Sequence, residues 1–102
     1  MRENIIVLAI QRYLKTLENC FFWKEHGGLY GTAGIPDIIC CLGGMFVAFE
    51  VKNETGEVTR LQEATLRKIR TAGGVAVVVR SVEDVKDVIH DVLNRGGVRN
   101  GR

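Results

Sequence analysis

The chain has 102 residues, of which 46% are hydrophobic and 25% are charged, and its formal net charge is +2. This length and composition are typical of one globular domain, too small for two, and they argue against intrinsic disorder. No stretch approaches the roughly 18–20 uninterrupted apolar residues that a membrane-spanning helix needs, so we expect no membrane partner. Cys20, Cys40 and Cys41 are an odd number of cysteines, which favours reduced, buried thiols in a cytoplasmic protein.

The excess of positive charge lies in the second half of the chain. The first 52 residues hold five basic and five acidic side chains. Arg95, Arg99 and Arg102 belong to a terminal segment without any acidic residue. We therefore predict one domain over residues 1–94 and a flexible basic tail over residues 95–102. The net charge by itself is weak support for a nucleic-acid partner.

Residues 3–18 have the apolar spacing of an amphipathic helix, with apolar side chains at intervals of three and four. The stripe consists of Ile5, Ile6, Leu8, Ala9, Ile10, Tyr13, Leu14 and Leu17. Glu3 falls in the first turn, where free backbone N–H groups favour a carboxylate. Residues 20–24 are rich in aromatic side chains and predict a first strand.

Residues 25–34 are rich in glycine and predict a loop. The glycine spacing is not that of a P-loop or a dinucleotide-binding turn. Because the loop leads directly to Asp37, the side chains of Lys24, His26 and Tyr30 are candidate substrate contacts. The alternative is a flexible connection whose side chains are only solvated.

A β-hairpin is predicted over residues 34–52, where two apolar runs flank a Gly-Gly dipeptide. Asp37 opens the first run, and Glu50 and Lys52 interrupt the second. Side chains alternate along a strand, so Glu50 and Lys52 share one face. Since Asp37 and Glu50 lie at similar distances from the turn, we expect their carboxylates to approach each other.

Two adjacent carboxylates repel each other unless a cation lies between them or one takes up a proton. Oxygen ligands with room for water and phosphate are typical of a Mg²⁺ or Mn²⁺ site. A surface ion pair between Glu50 and Lys52 is the alternative, and it would contribute less than about 1 kcal/mol. Three charges on an apolar hairpin favour a catalytic site.

The rest of the chain predicts a helix, a strand and a second helix. Thr59 and Gln62 form a capping-box pattern, and the helix is expected to end near Thr71. Its inward residues are expected to be Leu61, Ala64, Thr65, Leu66 and Ile69. Arg60, Arg67, Lys68 and Arg70 form a candidate phosphate-facing surface, and the alternative is a solvated basic face. Residues 75–79 and 82–93 predict the last strand and helix, and a helical crossover makes the last two strands parallel.

The PD and EVK motifs at residues 36–37 and 50–52 resemble the PD-(D/E)XK nuclease signature. The GIPD sequence around Asp37 and the position of Gln62 resemble the VRR-NUC (virus-type replication-repair nuclease) branch of that superfamily. The resemblance covers most of the chain, from Glu3 to the last strand. It implies an α/β fold with a restriction-endonuclease-like αβββαβ core, which agrees with the predicted mixed four-stranded sheet flanked by helices.

The resemblance also implies roles for individual residues. Asp37, Glu50 and the main-chain carbonyl of Val51 would hold Mg²⁺ or Mn²⁺, and Glu3 is a further candidate ligand. Lys52 would act in catalysis, and Gln62 would reach toward it from the following helix. Two of these residues also have purely structural explanations, Glu3 as a charge at a helix N-terminus and Gln62 as half of a capping box.

Stand-alone domains of this branch look like homodimeric, phage-type endonucleases that cleave branched DNA, including four-way (Holliday) junction resolvases. We take this as the leading hypothesis, for an intracellular phage or bacterial enzyme. One alternative is a nonspecific or flap-directed nuclease that works with a partner chain. Another is a non-catalytic nucleic-acid-binding module, against which the intact Asp37, Glu50 and Lys52 argue.

Overall fold

The computed structural model of the protein describes residues 1–26 and 33–100, with side chains as far as Arg95. Tyr30, a predicted substrate contact, lies outside the described residues. The elements in chain order are α1 (Glu3–Leu14), β1 (Cys20–Lys24), β2 (Ile38–Leu42), β3 (Met45–Val51), α2 (Arg60–Thr71), β4 (Val75–Val79) and α3 (Val82–Asn100). This order confirms the predicted αβββαβ core with a final helix.

The four strands form one mixed sheet in the order β1-β2-β3-β4. β2 pairs antiparallel with β1 and β3, and β3 pairs parallel with β4. The predicted hairpin is therefore confirmed, with a tight turn at Gly43 and Gly44. Both glycines have positive φ, at 56° and 87°. Two successive positive φ angles match the right-handed twist of the flanking strands, which is why this turn requires glycine.

The two faces of the sheet are covered differently. One face packs against α1 and α3 through a cluster of buried side chains, which are Ile6, Val7, Ile10, Leu14, Ile38, Cys40, Leu42, Val47, Phe49, Val51, Val79, Val85, Ile89 and Val92. The other face packs against α2 through a smaller buried cluster of Ile39, Ala48, Leu66 and Ala76. Strand alternation sorts the residues of β2 and β3 between these two clusters.

Helix α1 is shorter than predicted and presents a different face to the sheet. It ends at Leu14, after which the backbone N–H of Thr16 donates to the carbonyl of Tyr13 in a tighter turn. The Thr16 hydroxyl donates to the same carbonyl, 2.7 Å away. The predicted inward positions Ile5 and Leu8 are wrong, because both side chains are exposed.

Helix α2 confirms the predicted capping box and covers less of the sheet than predicted. Thr59 Oγ1 accepts from the backbone N–H of Gln62, and Gln62 Oε1 accepts from that of Thr59. Leu66 is the buried residue of α2, whereas Leu61 and Ala64 are exposed, so their predicted packing is wrong. The helix packs mainly against β4, which leaves the β1 side of this face open.

Two further predictions need correction. The last helix continues to Asn100, well past the predicted end at Leu93, and its last turns include part of the segment predicted to be a loose tail. An ion pair one turn apart joins Asp91 and Arg95, which lie on either side of the predicted end at Leu93. The cysteines are free as predicted, but Cys41 is exposed rather than buried.

No helix in the described residues is long and apolar enough to cross a membrane.

Candidate active site

The hairpin brings Asp37 and Glu50 together on the α2 face of the sheet. Ile38 pairs with Phe49, so the next position outward places Asp37 opposite Glu50. Asp37 lies just before β2 rather than inside it. Its Oδ2 accepts a hydrogen bond of 2.7 Å from the backbone N–H of Val51. One oxygen of Asp37 is thus fixed against β3, beside Glu50.

Glu50 is a buried carboxylate with incomplete hydrogen bonding. Its residue surface is only 2% exposed. Oε2 lies 3.7 Å from Lys52 Nζ, while Oε1 is buried without a hydrogen-bond partner among the described residues. Burial raises the pKa of Glu50 to about 8, and the next contributions come from the charge of Asp37 and from a hydrogen bond with the Asp37 side chain when Glu50 is protonated. The charge of Lys52 acts in the opposite direction, and Glu3 adds a smaller increase.

The unpartnered oxygen of Glu50 can be satisfied by a proton or by a cation. A buried polar atom without a partner costs about 1–3 kcal/mol, and more for a charged group. A divalent ion between Asp37 and Glu50 would satisfy this oxygen and remove the repulsion between the two carboxylates. Within residues 1–26 and 33–100, no group of three or more His, Cys, Asp or Glu side chains is arranged to hold a metal. Two carboxylates nevertheless suffice for Mg²⁺, which is commonly held by one or two carboxylates and completed by water and substrate phosphate.

Lys52 follows β3 directly and is nearly buried, with 9% of its surface exposed. Its backbone N–H donates to the carbonyl of Val79 in β4, which extends the parallel pairing by one residue. The aliphatic part of the Lys52 side chain lies beside Gly56 of the next loop. A Cβ added at Gly56 would come within 3.4 Å of Lys52 Cδ. The side chain of Lys52 thus runs beside this loop, and its ammonium group lies next to Glu50.

Arg80 holds the loop that follows Lys52. The sequence alone did not predict a role for Arg80. Its guanidinium donates to the carbonyls of Asn53 and Gly56 at 2.6 and 2.8 Å. Inside the loop, the Asn53 side chain accepts from the backbone N–H groups of Thr55 and Gly56. Val51 pairs with Val79, so Arg80, the residue that follows β4, falls beside Lys52. That register, which the sequence alone does not give, is the signal that identifies Arg80.

Glu3 lies at the edge of the site. Its Oε2 is 3.4 Å from the backbone nitrogen of Asn53, which donates to it, and it lies 2.9 Å from where a Cβ on Gly56 would be. Its charge contributes to the raised pKa of Glu50. The structure therefore brings Glu3 near the two carboxylates, beside the loop and outside any three-acid cluster.

The other predicted site residues are spread more widely. Gln62 uses Oε1 in the capping box, so its amide nitrogen is the part that remains for another contact. Arg60 and Arg67 are exposed on α2, and His26 is exposed after β1. Strand alternation places Lys24 with Cys20 and Phe22, on the face opposite Glu50. Lys24 Nζ donates to the carbonyl of Glu25.

Gly34 anchors the segment that carries Asp37. It has a φ of 83°, and an added Cβ would lie 2.8 Å from Leu61 Cγ and 3.0 Å from Thr65 Oγ1. Only glycine combines this conformation with such a close approach to α2. The GIPD sequence is therefore explained structurally, because Gly34 seats the chain against α2 just before it delivers Asp37 to the site.

Comparison with known proteins supports the fold. No protein-family model matches the sequence, and no curated protein is similar to it. One solved structure, described as "VRR_NUC domain", superposes with a TM-score of 0.71 at 23% identity, covering 86% of this chain and 94% of the other. A second, "VRR_NUC domain protein", superposes with a TM-score of 0.70 at 17% identity, covering 89% and 87%. The chain has the α/β fold of the VRR-NUC domains.

Proposed function

We propose that the chain is a metal-dependent nuclease that hydrolyses DNA phosphodiester bonds at Asp37, Glu50 and Lys52. The observation that carries the proposal is the buried carboxylate of Glu50, which has one unpartnered oxygen and lies beside a second acid and a nearly buried lysine. A carboxylate with a strongly raised pKa and an adjacent cation is typical of functional sites. The superposition on structures described as VRR_NUC domains supports the same activity.

The donor set of the site suits Mg²⁺ or Mn²⁺. Asp37 and Glu50 would hold the ion with carboxylate oxygens, the main-chain carbonyl of Val51 would add a third oxygen, and Glu3 is a further candidate. All of these donors are hard oxygen atoms, which such ions prefer. When bound, the ion would lower the pKa of water and neutralise phosphate charge.

The protein's own residues then position the reaction. Lys52 Nζ lies 3.7 Å from Glu50 Oε2, which holds the ammonium group beside the two acids. A nearly buried ammonium attracts a phosphate oxygen more strongly than an exposed one, because the surroundings screen the charge less. The Val51 N–H fixes Asp37, and the Arg80 contacts fix the loop after Lys52. Gln62 retains an amide N–H₂ that can donate to substrate or to a water molecule.

For the substrate, we propose branched DNA, with the four-way junction as the leading candidate and a homodimer as the acting form. Two-fold symmetry would place two active sites across a branched structure. A nonspecific or flap-directed nuclease that acts with a partner chain is the second candidate.

The test is cleavage of labelled four-way junction, flap and linear duplex in Mg²⁺, Mn²⁺ or EDTA. We expect cutting only with a metal ion, and faster cutting of the junction than of the duplex. Lys52→Ala is expected to abolish cutting while binding persists, and Lys15→Ala, an exposed lysine on the other side of the sheet, should cut normally. Metal-independent cutting, or full turnover by Lys52→Ala, would contradict the mechanism.

Oligomeric state is measured separately, by sedimentation of the protein alone and with junction DNA. A dimer in both supports the homodimer proposal. A monomer that cuts flaps and junctions equally well would favour the flap-directed alternative.

A further inference from the structure

The α2 face of the sheet is only half covered by its helix. Among the described residues, α2 lies over the β4 side, and the part of this face that it leaves uncovered carries three exposed aromatic side chains, two on β1 and one on β3. Phe21 is 70% exposed, Trp23 45% and Phe46 44%. Phe21 and Trp23 have ring centroids 6.2 Å apart. Exposed aromatic residues on the face that carries the candidate active site require an explanation, because large apolar side chains are normally buried.

A cleft between Trp23, Phe46 and α2 is large enough for a nucleobase with its sugar. Its volume is about 570 Å³, and its lining includes Trp23, Pro36, Ile39, Phe46 and Lys68. Small-molecule sites commonly have volumes of about 300–1,000 Å³ and mostly apolar walls with a few polar groups. Pro36 connects the cleft to the candidate active site, since it immediately precedes Asp37.

The charges at the cleft suit a phosphate. Lys68 lines it and Arg67 lies beside Lys68, and both are exposed residues that form no ion pair within the described part of the chain. The one acid in the lining is Glu25, whose Oε1 accepts a 3.0 Å hydrogen bond from Trp23 Nε1. Glu25 thus orients the indole ring, while the α2 side of the cleft is positive.

The strand register gives the distance from the cleft to the candidate active site. Trp23 pairs with Ile39, which pairs with Ala48, and Ala48 precedes Glu50 by two residues. Two strand spacings and two residues along β3 correspond to about 12 Å between the Trp23 and Glu50 backbones. A short single-stranded segment spans that distance.

We propose that this cleft binds an unpaired nucleobase of the DNA substrate, next to the phosphodiester bond that is cut. The base packs against Trp23 and Phe46, and Lys68 binds a neighbouring phosphate. This combination of aromatic platforms and cations is how proteins hold single-stranded nucleic acid. The proposal rests on the proposed nuclease function and adds how the substrate is selected, because a fully paired duplex has no base to offer.

A second copy of the chain is the competing occupant. A stable interface buries about 800 Å² on each partner and excludes unpaired charge from its centre. Here the uncovered surface is a concave cleft with Lys68 and Glu25 in its lining. That shape and charge favour a base with its phosphate.

Trp23 is the single tryptophan of the chain, so its fluorescence reports on the cleft directly. We expect a single-stranded oligothymidine to quench it in EDTA, where no cutting occurs. A strand of the same length with abasic sites, and a fully paired duplex, should quench it at least about fivefold less effectively at equal concentration, because base stacking is absent. Equal quenching by the abasic strand or the duplex would overturn the proposal.

Variants sharpen the test. Phe46→Ala is expected to weaken oligothymidine binding by about 5- to 100-fold, and Lys68→Ala, which leaves the apolar contacts intact, should reduce the salt dependence of binding. The matched control is Leu8→Ala, which changes a similarly exposed apolar residue of α1 on the other side of the sheet. Unchanged affinity in both cleft variants, or a dimer that only the Phe46 variant disrupts, would overturn the proposal. If the wild-type chain shows quenching but never cuts DNA, the nuclease function fails and base binding stands.

Discussion

The buried carboxylate of Glu50 predicts that the metal-free protein becomes less stable as pH rises. Burial and the charge of Asp37 raise its pKa from 4.5 to about 8 in the folded state. Between these two values the folded chain keeps a proton that the unfolded chain releases. The free energy of unfolding that this proton contributes is therefore fully present below the pKa of the unfolded chain, and it is lost as pH rises through the pKa of the folded chain. Between the two pKa values, the free energy of unfolding falls by about 1.4 kcal/mol per pH unit.

The size of the effect follows from that slope. Between about pH 6 and pH 8, Glu50 accounts for a loss of about 2 kcal/mol, since the slope flattens as the folded-state pKa is reached. In a domain of about 100 residues this corresponds to a decrease in Tm of roughly 10 °C. Glu50→Gln keeps the shape of the side chain and has no proton to lose, so this part of the pH dependence should disappear.

The assay is urea unfolding of the wild type and Glu50→Gln in EDTA at several pH values, compared as differences so that other titrating groups cancel. Glu57→Gln, at an exposed position, is the matched control and should follow the wild type. Adding Mg²⁺ should reduce the loss in the wild type alone, because the ion binds the deprotonated carboxylate. Wild-type and Glu50→Gln stabilities that change in parallel with pH would refute the reasoning.

Three further predictions follow from contacts at the site. Asp37→Asn should weaken Mg²⁺ binding by at least about tenfold in calorimetry without DNA, and unchanged affinity would remove Asp37 as a ligand. Arg80→Ala should lower kcat by roughly 10- to 100-fold with a smaller change in KM, because the loop after Lys52 loses two hydrogen bonds that hold it. Arg80→Lys should recover part of the rate. A change in KM alone would contradict a positioning role for Arg80. Gly34→Ala should lower Tm more than Gly44→Ala, since both have positive φ but only the first would meet neighbouring atoms, and equal losses would show that the approach to α2 does not matter.

The elements that the sequence predicted well are those with local signals. The hairpin depends on alternation and a Gly-Gly turn, and the start of α2 depends on Thr59 and Gln62, all within a few residues of each other. The exposure of Ile5 and Leu8 was missed because α1 is apolar on several sides, and only its packing against the sheet selects Ile6, Val7, Ile10 and Leu14 for the core. The length of α3 was missed because a Gly-Gly pair is a poor helix former, and its neighbours nevertheless continue the helix.

The same distinction explains the candidate site. Asp37, Glu50 and Lys52 could be identified because one hairpin positions all three, and hairpin geometry follows from the sequence between them. Arg80 could not, because its position beside Lys52 depends on the register between β3 and β4, which a helical crossover of more than twenty residues separates. The aromatic cleft was missed for a similar reason, since it requires knowing which part of the sheet α2 leaves open.

The two faces of the sheet differ in how much apolar surface they bury, and this difference explains how the chain tolerates a buried, partly unsatisfied carboxylate. The large cluster of buried side chains lies between the sheet and the α1 and α3 helices, on the face away from Glu50. Each fully buried aliphatic side chain there contributes about 1.5–3 kcal/mol, so the cluster offsets an unpartnered oxygen that costs about 1–3 kcal/mol. The α2 face has a smaller apolar cluster and carries the charges and the aromatic cleft. An apolar residue at position 50 would suit stability alone better. The glutamate found there is a local destabilisation of the kind that functional sites carry.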